Sequence, residues 1–187
     1  MAEKKRRPSD RKKKPPRRAP KEPPKITPKV KCIVAVRLRG EAGVPRDVEA
    51  TLNMLGLKRK HCAVLVYDRP DSLGMLRTAK DYVTWGEADK EILCALLEKR
   101  CRPRGADRLS DKYVKEKLQV TSIKRLVEAI DRAEIPLSRL REAGIPRIFH
   151  LHPPKGGFKR ALKRPFQDRG ELGDRGPEIT ALISRMI

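Results

Sequence analysis

The chain is 187 residues long, enough for one compact domain with extensions or at most two small domains. Hydrophobic residues make up 38% and aromatics only 4%, so any core is aliphatic and modest. A net charge of +22 is too large to neutralise within the chain, and it points to a polyanion, nucleic acid ahead of an acidic membrane surface.

Residues 1–31 carry half of that charge. They hold fourteen Lys or Arg against Glu3, Asp10 and Glu22, together with seven prolines. With almost nothing apolar to bury, this segment is expected to be disordered when free. Its runs Lys4-Lys5-Arg6-Arg7, Arg11-Lys12-Lys13-Lys14 and Arg17-Arg18 are candidate phosphate contacts that release counterions without reading sequence. No apolar signal segment follows the basic start, the prolines break any amphipathic targeting helix, and no apolar run reaches about 18 residues. A soluble, intracellular protein with no membrane partner is expected. The four cysteines (Cys32, Cys62, Cys94, Cys101) form no Cys-x-x-Cys pair, and three lie in apolar stretches, which favours buried small residues over zinc ligands.

The β-rich run from Cys32 to Leu38 reads as a central strand, followed by a loop holding Arg39, Gly40 and Gly43. Pro45 suits the first turn of a helix. Val48, Leu52 and Leu55 give that helix one apolar stripe, and Gly56 is its stop. Lys58, Arg59, Lys60 and His61 make a basic turn, favourable to the helix dipole and equally a phosphate contact. Ala63 to Tyr67 is a second buried strand. A short helix to about Lys80 turns Leu73, Leu76 and Ala79 inward, and Tyr82 to Trp85 is a third strand, ended by Gly86. The β-α-β-α-β order over 32–86 gives an α+β core with elements too short for a doubly wound nucleotide domain, and no glycine-rich loop matches a nucleotide fingerprint.

A mainly helical region spans 87–187. Asp89 to Arg100 is a helix ending in the basic turn that holds Arg100, Arg102 and Arg104. Ser110 and Ser122 cap two more, the second with Ile123, Leu126, Val127 and Ile130 inward. Pro136 and Pro146 bracket a short helical piece. Ile148 to Leu151 reads as a strand with His150 and His152 alternating outward; with no third ligand, a sheet-surface or RNA-facing role is favoured over a metal. Residues 153–176 resist packing. Lys155, Lys159, Arg160, Lys163, Arg164, Arg169 and Arg175 stand there among five glycines (Gly156, Gly157, Gly170, Gly173 and Gly176), with Phe158 and Phe166 interleaved. Such a loop suits RNA, the rings either stacking on bases or anchoring the loop to its own core. Pro177-Glu178 then opens a helix with Ile179, Leu182, Ile183 and Met186 on one stripe.

These pieces resemble the large-subunit ribosomal proteins called L-thirty in bacteria and L-seven in eukaryotes. The resemblance is carried by Val34 to Arg39, Ala50 to Leu57, Gly74-Met75-Leu76 and Val83 to Gly86 in the core. Downstream, Leu97 to Arg100, Leu109-Ser110-Asp111, His152 to Phe158 and Gly170 to Gly176 match the longer archaeal and eukaryotic version, and the length looks archaeal. The family implies a ferredoxin-like core with a three-stranded antiparallel sheet. It implies a structural, non-enzymatic role in the cytoplasmic ribosome, bound to large-subunit rRNA near the 5S rRNA, with neighbouring ribosomal proteins as partners and without homo-oligomers. The tail is longer and richer in proline than archaeal members suggest.

Two other classes are weaker. A free architectural DNA binder or RNA chaperone usually stacks aromatics on its sheet, and these strands are aliphatic. An enzyme needs a nucleophile–base–orienter set, and none is readable around His61, His150 or His152. No cofactor is expected.

Overall fold

The computed structural model describes residues 31–105 and 108–187. Residues 1–30 of the tail, with the candidate cations Lys4 to Arg18, lie outside them. Two strands form the centre, β1 (Cys32–Arg37) and β2 (Cys62–Tyr67), antiparallel and buried along their whole length. Strand alternation divides their side chains between two cores. Cys32, Val34, Val36, Ala63, Leu65 and Tyr67 enter one cluster, while Ile33, Ala35, Cys62, Val64 and Val66 enter the other. Cover on both faces is why these strands read as unbroken apolar runs.

The second face is covered by α1 (Arg46–Leu55) and α2 (Pro70–Thr78), which bury Leu52, Leu55 and Leu76. Pro45 stands just before α1, at its N-cap. At the other end Gly56 adopts φ +85°, its N–H donates to the Asn53 carbonyl at 3.0 Å, and Leu57 donates to Leu52 at 2.8 Å. That is a Schellman closure with Leu52 and Leu57 packed together in the core. The β3 strand (Val83–Glu87) pairs antiparallel with the other side of β1.

The sheet does not stop at three strands. The β4 strand (Ile148–His150) adds antiparallel to β2. Beyond β3 lie β5 (Ala161–Pro165) and β6 (Gly170–Asp174), and both of their pairings, β3 with β6 and β6 with β5, are parallel. The order is β4-β2-β1-β3-β6-β5, a mixed six-stranded sheet. The expected three-stranded antiparallel sheet is therefore corrected: its two edges would leave backbone groups unpaired, and the downstream region supplies strands to both.

The expected structureless loop over 153–176 is corrected too, since β5, a short 3-10 turn over 166–168 and β6 order its second half. These strands escape a periodicity reading because a polar cluster holds them. Glu171 accepts from the Arg160 N–H at 3.0 Å and pairs with Arg175, while Thr84 on β3 donates to the Gly173 carbonyl at 3.0 Å.

Five helices cover the first face: α3 (Lys90–Arg100), α4 (Asp111–Leu118), α5 (Ile123–Asp131), α6 (Leu137–Glu142) and α7 (Ile179–Met186). Ser110 and Ser122 cap α4 and α5 by accepting from the Tyr113 and Arg125 N–H groups. The predicted stripes of α5 and α7 are fully buried. Gly86 lets the chain before α7 cross the sheet closely, for a Cβ there would sit 2.0 Å from the Gly176 carbonyl oxygen. Among the described residues no helix is long and apolar enough to cross a membrane.

Candidate nucleic-acid interface

Register gathers several basic segments at one end of the sheet. Arg37, the last residue of β1, lies opposite Val83 at the start of β3, and Cys62 at the start of β2 lies opposite His150 at the end of β4. Ala161 and Gly170, which begin β5 and β6, are also paired there. The loop after β1, the Lys58–His61 turn and the 151–160 crossing therefore meet at this end.

Arg37 organises the meeting. Its side chain is 3% exposed, and four backbone carbonyls accept from its guanidinium: Arg39 at 2.9 Å, Gly40 at 2.9 Å, Leu57 at 2.8 Å and Lys58 at 2.7 Å. A buried cation satisfied by carbonyls ties the loop after β1 to the basic turn. Lys58, Arg59 and Lys60 are left exposed on that turn. Arg39 is half-buried, with its guanidinium 4.8 Å above the Tyr82 ring and donating to the Asp81 carbonyl at 3.1 Å.

His61 is drawn inward. It adopts φ +62°, donates its N–H to the Arg37 carbonyl, and accepts from the Leu151 N–H. Its ring stacks on Phe158 with centroids 6.3 Å apart, and burial, aided by neighbouring Lys60, holds its pKa below the usual 6.5. Phe158 thus anchors the crossing to the fold, leaving Lys155 and Lys159 exposed. The crossing is also tied to α7, with His152 and Lys155 N–H groups donating to the Met186 and Arg185 carbonyls.

The basic turn after α3 lines a groove along β4. Two depressions of about 550 and 560 Å³ adjoin there and share Arg102, Pro146 and Ile148. Arg102, Arg104, Arg141 and Arg147 line the first, and Lys99, Arg100, His150 and His152 help line the second; no Asp or Glu lines either. Arg100 is partly used within the fold, meeting His152 at 3.0 Å and the Ile187 carbonyl.

The remaining loop cations lie at the opposite edge of the sheet, on and around β5. Lys163, Arg164 and Arg169 are exposed, and Arg160 lies 4.6 Å above the Phe166 ring. Arg175 departs from the expectation of an RNA-facing cation. It is 8% exposed, pairs with Glu171, donates to the Glu171 carbonyl at 2.8 Å, and covers Phe166 at 4.8 Å. An arginine whose charge is answered inside the protein has little left for a phosphate.

The sequence reading did not single out Arg37, Lys99, Arg141 or Arg147. Arg141 and Arg147 flank the Gly144–Pro146 turn, and that clustering around a breaker was the readable signal. Arg37 carried none, because at the end of an apolar strand it looks like any edge cation.

Comparison with known proteins places this arrangement among relatives. A family model described as Ribosomal protein L30p/L7e matches residues 33–83. The chain is 42% identical to the large ribosomal subunit protein uL30 of Aeropyrum pernix over 153 residues, 81% of this chain and 96% of that protein. It is 44% identical to the uL30 of Staphylothermus marinus, with 81% and 96% covered, and 42% identical to that of Methanopyrus kandleri, with 80% and 100% covered.

Proposed function

The chain belongs to the ribosomal protein L30p/L7e family, and from that premise we propose that the end of the sheet around Arg37 is its principal rRNA-binding surface. It is a structural constituent of the large subunit of the cytoplasmic ribosome, associated with rRNA and other ribosomal proteins, and not an enzyme. The observation that carries the proposal is the convergence of the Lys58–Lys60 turn, Lys155 and Lys159 at one end, from which the arginine-lined groove runs along β4 with no carboxylate in its lining.

Most of these contacts go to phosphate and ribose, since cations on irregular backbone follow shape more than base identity. The 1–31 tail adds a charge-driven contact, and the Lys163–Arg169 edge a weaker second one. We read 32–86 as a ferredoxin-like core and 87–187 as its extension, the 5S rRNA as a neighbour, and the protein as a single copy per subunit that engages no membrane. The test is salt-dependent binding of the full chain to large-subunit rRNA. Lys58, Arg59 and Lys60 changed together to Ala lower the affinity and flatten the log–log salt slope by about 2. An unchanged affinity and slope removes the turn from the interface.

A further inference from the structure

The groove beside β4 is more than a charged surface. Its floor is apolar: Met54, at the end of α1, is 62% exposed and lines the depression with Pro146 and Ile148. Among the described residues it is the large hydrophobic side chain left exposed. Around that floor stand Arg102, Arg104, Arg141 and Arg147, and none of the four makes a side-chain hydrogen bond or ion pair with another described residue. Asn53 completes the rim with an amide that both donates and accepts.

Duplex backbone alone does not use such a site. Phosphates meet cations, but an exposed thioether between arginines offers a ribose-phosphate chain nothing. A flat aromatic ring uses every part of it. Sulfur packs favourably on π-faces, guanidinium planes stack on bases, and an amide reaches a base edge. A depression of about 550 Å³ is also of the size that encloses a small ligand.

We propose that this depression receives one unpaired nucleotide of the rRNA, its base packed on Met54 between arginine planes and its phosphates held by the remaining guanidiniums. The proposal rests on the rRNA-binding reading of this end and adds that one contact there is to a base. An acidic protein segment is the competing occupant; the apolar floor and planar cations favour a base.

The test uses large subunits assembled with the full chain as wild type, Met54→Ala and Met54→Glu. They are probed with dimethyl sulfate, kethoxal and a carbodiimide, which together report all four bases, and with hydroxyl radical for the backbone. Met54 is exposed, so neither change disturbs the core, and Met54→Ala serves if Met54→Glu blocks assembly. The expected result is one unpaired nucleotide whose base reactivity rises about 2-fold or more in both variants, the low end of what a sulfur–ring contact contributes, with backbone protection of flanking nucleotides retained. Unchanged base reactivities with wild-type backbone protections overturn the base-binding proposal and leave the rRNA reading standing. Loss of a neighbouring protein without a change at any base assigns the groove to that protein and likewise overturns it. Absence of any protection by the wild-type chain defeats both.

Discussion

The Arg37 guanidinium donates to the Lys58 carbonyl at 2.7 Å, so a buried cation at the end of β1 sets the shape of the exposed basic turn twenty-one residues on. Replacing Arg37 with Met keeps the apolar stem and strips four carbonyls of their donor. The expected loss is about 2–4 kcal/mol, read as an earlier urea midpoint, with rRNA affinity falling although no phosphate contact is removed. Arg37→Lys recovers only part, because a single ammonium cannot span loops that the planar fork reaches at once. A fully stable Arg37→Met protein with a normal affinity denies Arg37 this role.

Glycine positions separate backbone geometry from close packing. A Cβ on Gly56 meets the tip of the Ile148 side chain at 2.4 Å and forces a left-handed alanine, whereas one on Gly86 meets the Gly176 carbonyl at 2.0 Å. Gly56→Ala is expected to cost about 1–3 kcal/mol, since a side-chain tip moves aside. Gly86→Ala is expected to cost more, because the chain leading into α7 must lift from the sheet. Thermal melts rank the two; equal midpoints contradict the ordering.

The Glu171–Arg175 pair lies inside, with side chains 2% and 6% exposed. Glu171→Gln leaves the guanidinium buried without its charge partner, which costs about 3–5 kcal/mol. Loss of amide protection in 161–174 by hydrogen exchange, ahead of β1 and β2, locates the damage. Uniform loss across the sheet argues against a local role.

His61 supplies a pH signature. Burial and Lys60 disfavour its charged form in the folded state, so the unfolded chain takes up the proton first. Its contribution is complete above the ordinary value of 6.5 and is lost as pH falls below it toward the lower folded value. His61→Gln is expected to flatten stability in that window, and urea midpoints from pH 7 to 5 measure it. An identical slope in the variant assigns the dependence to other groups.

Much of this architecture was legible in the residues. The strands centred on Val34, Val64 and Val83, the Gly56 stop, the two serine caps and the stripes of α5 and α7 all carry local signals that tertiary packing reinforces. The pairing of β5 and β6 carried none, because Ala161–Pro165 and Gly170–Asp174 show no apolar alternation and owe their order to Glu171, Arg175 and Thr84. The exposed cations of the turns could be named from sequence. Which of them converge could not, since Arg141 and Arg147 reach the groove they share with Asn53 and Gly56 only because β4 adds to the edge of β2.

The central claim is directional: the end of the sheet at Arg37 is the principal rRNA face, ahead of the folded surface beyond Glu87 at the other end. Lysine-directed crosslinking of the assembled large subunit, with adducts mapped by mass spectrometry, compares the two. The account predicts RNA adducts at Lys60, Lys155 and Lys159, and few at Lys90, which lies beyond β3 and pairs with Asp131 at 3.5 Å. RNA adducts concentrated at Lys90, with Lys60 and Lys155 free, contradict it.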